Sequence, residues 1–143
     1  MSIGILRNPG WFPVAVQSLV VLAETDGACS SSAMAQDLKA HAVFLRRVLA
    51  RLVRANLVRA REGRDGGYRL ARPADHITLA EIYQAVTVAD PSEDTQNFSG
   101  VNAQVQTVLD EIGAEAEQRL LQVLGQYTLA SVLERVAISR PHS

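Results

Sequence analysis

The 143-residue chain has a single cysteine, Cys29. One thiol excludes an internal disulfide framework and a Cys-rich metal site. It fits a reducing, cytoplasmic compartment. Long hydrophobic runs are also missing. The most apolar stretch, VAVQSLVVLA at 14–23, is too short to span a bilayer. Arg7 alone supplies positive charge before it, and no A-x-A cleavage pattern follows closely. It therefore reads as a buried helix rather than a leader or membrane span. Catalytic signatures are lacking too: there is no GxSxG, HExxH or paired-carboxylate pattern, so no enzyme is expected. His76 and His142 have no partners at metal-ligand spacing, and neither a metal nor another cofactor is expected. The net charge of −1 names no partner.

The distribution of charge says more. Residues 39–72 hold ten Lys/Arg against two acids. Residues 1–38 hold one Arg and three acids, and residues 73–143 hold three Arg and ten acids. A basic module that meets a polyanion, joined to an acidic module that does not, has this pattern. A bland alternative is that the two modules pair with each other.

Apolar periodicity outlines the elements. Pro13 suits the first turn of a helix, and Val16, Leu19, Val20 and Ala23 follow at helical spacing. Asp26-Gly27 breaks it. The Ser30–Ser32 run offers N-cap hydroxyls for a second helix over 32–38. Lys39-Ala40-His41 is a short connection. A third helix over 42–55 has Phe44, Leu45, Val48, Leu49 and Leu52 on its apolar stripe, with Arg46, Arg47, Arg51 and Arg54 on other faces. Asn56 suits a left-handed C-cap. The period then changes to two at 57–61 and 68–71, and the glycine-rich stretch between these runs makes a β-hairpin that Pro73 ends. Thr78 caps a helix over 79–86. Residues 90–100 read as a loop. Val101, Val105, Val108, Leu109, Ile112, Ala116, Leu120 and Val123 line one side of a long helix over 101–124. Leu129, Val132, Leu133 and Val136 mark a short final helix. No internal repeat or low-complexity tract stands out.

Three helices followed by a β-hairpin is the order of a winged helix-turn-helix, a mainly α (α+β) fold. The third helix is the element that enters a major groove. Its His41, Val43, Arg46 and Arg47 are candidates for base edges or flanking phosphates, and Arg51 for backbone. Ser31 and Ser32 at the start of the second helix join the candidate set, as do Arg64 and Asp65 at the hairpin tip and Arg69 on its second strand. A glycine-rich, cationic tip suits a minor groove. Phe44 is assigned to the core. Two other readings compete. In one, the basic face docks an acidic protein partner. In the other, GRDGG is an anion loop of a small enzyme, although no GK[ST] and no helix N-terminus follows it.

GRDGGYRLARP followed by ITLAEIYQAV resembles the wing and following helix of the Rrf-type (IscR/NsrR-like) bacterial winged helix-turn-helix transcription regulators. VAVQSLVVLAE is similar to their first helix, SSAMAQDL to their second, FLRRVLARLVRANLV to their recognition helix, and YTLASVLE to their last short helix. The resemblance implies a homodimer held by the long C-terminal helix on a pseudo-palindromic double-stranded operator, acting as a repressor. It implies three parts: a DNA-binding domain over 1–88, a linker over 89–100, and a dimerisation helix with a short C-terminal helix over 101–143. Val101–Val123 would then form the dimer interface, and a monomer this small would struggle to cover that stripe. The chain also departs from the family. Cluster-binding members carry three cysteines before the long helix, whereas residues 88–108 contain none, so thiolate ligation of an iron–sulphur cluster is not expected. Gln17 stands where members often carry Arg. Cys29 is the remaining sensor candidate, since a helix N-terminus can lower a thiol pKa; the alternative is a small buried residue.

Overall fold

In a computed structural model of the chain, residues 10–64, 66–87 and 102–139 are described. The expectations for Asp65, the 89–100 linker, Val101 and His142 lie outside them. Helices α1 (Trp11–Glu24), α2 (Ser31–Leu38) and α3 (Ala42–Arg54) precede strands β1 (Val58–Arg61) and β2 (Gly67–Leu70). A 3-10 turn (Ala74–His76) then leads to α4 (Leu79–Thr87), α5 (Ala103–Leu124) and α6 (Leu129–Ser139). This is the expected winged helix-turn-helix with a two-stranded wing and a long C-terminal helix.

Local chemistry sets the boundaries. The Ser30 side chain accepts from the Ala33 N–H at 3.1 Å, so α2 starts one residue before the expected position. Lys39 ends that helix in the left-handed region (φ 53), and the Ala40 N–H reaches back to the Ala35 carbonyl. At the end of α3 the amides of Asn56 and Leu57 donate to the carbonyls of Val53 and Leu52, with Asn56 left-handed at φ 62. This is the paired C-terminal arrangement that a left-handed residue allows. It uses up the Leu57 amide, and β1 accordingly begins at Val58 rather than at residue 57.

The core is built from the apolar stripes. Ala15, Leu19 and Leu22 of α1, Met34 of α2, and Leu45, Val48, Leu49 and Leu52 of α3 are buried together with Leu57, Val58, Ile77, Ile82 and Val86. Phe44 packs against this core, and its ring meets that of Trp11 edge-on at 5.5 Å. Leu129 is also fully buried there and Leu133 packs on it. The final helix, grouped with the long helix in the sequence, therefore shares the core of the N-terminal elements. By contrast, α5 has no buried residue along its 22 residues. It rests against α4, where the buried Tyr83 donates its hydroxyl to Glu117 at 3.4 Å.

Two short bridges tie these parts together. The wing strands pair antiparallel, with Arg59 opposite Arg69 and Arg61 opposite Gly67. Tyr68 also bonds the Cys29 backbone in both directions, at 2.8 and 3.0 Å. Gly67 is needed for this approach. Its φ is +138, and a Cβ there would lie 2.7 Å from the Cys29 carbonyl oxygen. At Gly66 a Cβ would overlap the Arg61 carbonyl. The second bridge joins Thr78 to Thr128, the caps of α4 and α6. The Leu79 amide donates to Tyr127 and the Leu129 amide to Ile77. Both caps belong to a Thr-Leu-Ala triplet, a match too short to register as a repeat in the sequence.

Thr78 and Glu81 form a reciprocal cap: the Glu81 amide donates to the Thr78 hydroxyl, and the Thr78 amide to the Glu81 carboxylate. Arg72 completes the group with a 2.7 Å ion pair to Glu81 and a bond to the His76 carbonyl. Partial burial alone would raise the Glu81 pKa. The bonds from Arg72 and Thr78, with the Arg72 charge, outweigh it and hold the carboxyl below its ordinary value.

Two predictions follow from these contacts. Gly67→Ala should cost roughly 2–3 kcal/mol in urea unfolding, because strain and backbone overlap add. Gly27→Ala, at φ +83 with nothing within 4 Å of its Cβ, should cost about 1 kcal/mol from strain alone. Equal losses would remove the overlap at Gly67 as a cause. A lowered folded pKa stabilises above the unfolded carboxylate pKa, and that contribution fades as pH falls through the folded value. Glu81→Gln should therefore cost about 0.5–1 kcal/mol at neutral pH, a figure kept small by the exposure of the pair. The difference from the parent should vanish in acid, and a pH-independent loss would make the effect one of shape.

Candidate nucleic-acid interface

Helix α3 divides cleanly into two faces. Leu45, Val48, Leu49 and Leu52 are buried, while Val43, Arg46, Arg47, Ala50 and Arg54 are exposed. At 100° per residue the exposed set forms one arc opposite the leucines. His41 is the N-cap residue, and its imidazole makes no capping bond and stands exposed. Ser31 and Ser32 lie in the first turn of α2, half-exposed and exposed, with the capping duty held by Ser30. Arg51 lies at the edge of the arc. Its guanidinium sits 4.7 Å from the centre of the Trp11 ring, a cation–π geometry.

The wing adds a second cationic surface. Residues directly opposite across an antiparallel pair share a face, as do residues two apart along a strand. Arg59, Arg61 and Arg69 therefore share the outer face, with Arg64 near the tip. Arg59 and Arg61 were not singled out from the sequence. Their alternation was visible there, but the register that stacks Arg59 on Arg69 was not. Among the described residues, no hydrogen bond or ion pair engages Arg46, Arg47, Arg54, Arg59, Arg61, Arg64 or Arg69. Two arginines directly opposite each other repel. Arg72 is different: the structure commits it to Glu81 and the α4 cap.

The glycine-rich tip is not an anion cradle. The Gly66 amide donates to the Gly63 carbonyl at 3.0 Å and closes the turn. Cys29 is buried, and its thiol contacts the Ser30 carbonyl at 3.6 Å. Burial, and then the charge of Asp37, push the thiol pKa up. This direction is opposite to the lowering that a helix N-terminus can produce.

An arginine-faced helix after a short turn, followed by a basic wing, is the geometry of a DNA-binding winged helix. The model of the Rrf2 family, described as an iron-dependent transcriptional regulator, matches residues 11–135. The chain belongs to the Rrf2 family. Among its relatives, NMA1593 of Neisseria meningitidis serogroup A is 31% identical over 133 residues, covering 91% of this chain and 88% of that protein. YwgB of Bacillus subtilis strain 168 is 28% identical over 126 residues, covering 85% and 81%. Both carry the name HTH-type transcriptional regulator. The solved structure of T. potens IscR shares the fold, with a TM-score of 0.65 and 23% identity over 93% of this chain and 90% of that one. As an Rrf2 protein, the chain is a DNA-binding winged-helix transcription regulator and not an enzyme. No helix among the described residues is long and apolar enough to cross a membrane.

The iron-dependence in the family description does not fit the donor set of this chain. One cysteine and three histidines are available, and no group of three or more His, Cys, Asp or Glu is placed to hold a metal among the described residues.

The like-charged wing pair yields a prediction in which stability and binding move in opposite directions. Arg69→Ala should leave the protein slightly more stable, by about 0.2–0.5 kcal/mol. It should also weaken duplex DNA binding and flatten the dependence of log K on log salt by about one. Thermal melting and anisotropy titrations at several salt concentrations check both. A destabilised variant would give the arginine a structural role instead.

Proposed function

We propose that the protein is a homodimeric, sequence-specific repressor that binds a pseudo-palindromic operator without an iron–sulphur cluster. The observation that carries the reading is the outward set of arginines on α3 and the wing, none of them engaged by a hydrogen bond or ion pair among the described residues. Such a set draws in the phosphate backbone and makes affinity steeply salt-dependent. Arg46 and Arg47, in the second turn of α3, lie where a helix in the major groove meets base edges. His41, Val43, Ser31 and Ser32 flank them, Arg51 reaches the backbone, and Arg64 enters the adjacent minor groove.

The dimer is read from α5. Val105, Val108, Leu109, Ile112 and Val123 are each more than half exposed along one stripe, joined by Ala116 and the half-buried Leu120. A stripe this apolar belongs against another surface. A second copy of the same helix provides one by twofold symmetry, and twofold symmetry in the protein matches a palindromic site. Cluster-free function rests on the single cysteine, because an iron–sulphur cluster is held by several thiolates. Cys29 itself serves as a packing residue beneath the wing, consistent with its burial and raised pKa.

Selection of duplexes from genomic fragments by the purified protein tests the reading. One enriched palindromic sequence is expected, bound far more tightly than random duplex. Arg46→Ala with Arg47→Ala should lower that affinity at least tenfold and leave the melting temperature unchanged. Leu109→Glu with Ile112→Glu should convert the dimer to a folded monomer in light scattering and weaken operator binding at least tenfold. Equal, weak binding to every duplex would instead favour an acidic protein as partner.

A further inference from the structure

Val43 has no structural reason for its position. It is 64% exposed. The other large hydrophobic side chains exposed to a comparable degree among the described residues all lie on α5 and α6. Among the described residues, Val43 is the single one on the helix-turn-helix and wing. It occupies the second position of α3, on the outward arc between Arg46 and Arg47. One line further along that arc is Ala50, also exposed. At 100° per residue Val43 and Ala50, about two turns apart, form the apolar middle of the arc, with Arg46 and Arg47 at either side and Arg54 following about one turn beyond Ala50.

An apolar side chain pressed against a base edge must meet an apolar group, because a donor or acceptor left facing it would lose its water without replacement. In the major groove the apolar group on offer is the C5-methyl of thymine. A small Ala50 keeps the helix axis near the floor of the groove, within reach of a short side chain such as valine. We propose that Val43 is a specificity-determining residue that selects thymine in each half-site through contact with its C5-methyl group. This rests on the DNA-binding reading above and adds to it the chemistry of one base position.

The methyl group can be removed from the DNA and the valine from the protein, which gives a double-mutant cycle across the interface. The probe is the duplex enriched by the wild-type protein, with each thymine replaced in turn by deoxyuridine. For the wild type, one symmetry-related position should lose about three- to fivefold in affinity per half-site, the effect of one buried methyl. For Val43→Ala the same replacement should have no effect at that position, with other positions unchanged. Replacing that thymine with 5-methylcytosine should retain part of the wild-type preference over cytosine. Alanine at an exposed helix position raises helix propensity, so the variant keeps its fold, and its melting temperature should not fall. A uracil profile that is the same for Val43→Ala and wild type overturns the assignment of Val43 alone. Failure of the wild type to enrich any duplex overturns the DNA-binding reading and this inference with it.

Discussion

The arrangement depends on one close approach, that of Gly67 to the backbone of Cys29. A two-stranded hairpin on its own is marginal in water. Here β2 borrows a third partner from the segment before α2, through two hydrogen bonds of Tyr68 that lie next to a position, Gly67, with no room for a Cβ. This contact orients the wing relative to the helix-turn-helix. The arginines of β1, β2 and the tip take their places from it, and so does the burial of Cys29. The cysteine matters here through its main chain.

Charge is divided with equal economy. Among the described residues no hydrogen bond or ion pair engages the seven outward arginines of α3 and the wing, and one pair of them faces its own kind across the sheet. Evolution for stability alone would remove that repulsion, and a polyanionic partner is what makes it useful. Arg72, three residues beyond Arg69, belongs to a different system. It joins Glu81 and Thr78 at a cap that is itself bridged to the cap of α6. Both ends of the excursion through α5 are therefore pinned at the same point of the core, next to the base of the wing.

Much of this was legible in residue order. The three- and four-residue spacing of Leu45, Val48, Leu49 and Leu52 located α3 and its buried side, because a helix must hide such a stripe. Asn56 and Thr78 announced a helix end and a helix start through their own backbone preferences. What was not legible is non-local. The start of β2 at Gly67 depends on Cys29, far upstream. The pairing of Arg72 depends on Glu81, across a 3-10 turn. The outward stacking of Arg59 and Arg69 required the register. Leu129 looked like any other leucine of a short amphipathic helix until the packing placed it in the N-terminal core. The choice between the two readings of Cys29 was not legible for a similar reason: helix N-termini lower a pKa where water reaches the group, and desolvation is set by tertiary packing.

Trp11 is the chain's single tryptophan, and it sits with its ring edge-on to Phe44 and beneath the guanidinium of Arg51, both on α3. Indole emission responds to nearby charge and to solvent. The protein thus carries an optical probe fixed against the flank of its recognition helix, with no second tryptophan to dilute the signal. Its ultraviolet fluorescence reports the environment of that one helix edge, so events there can be followed in unlabelled protein.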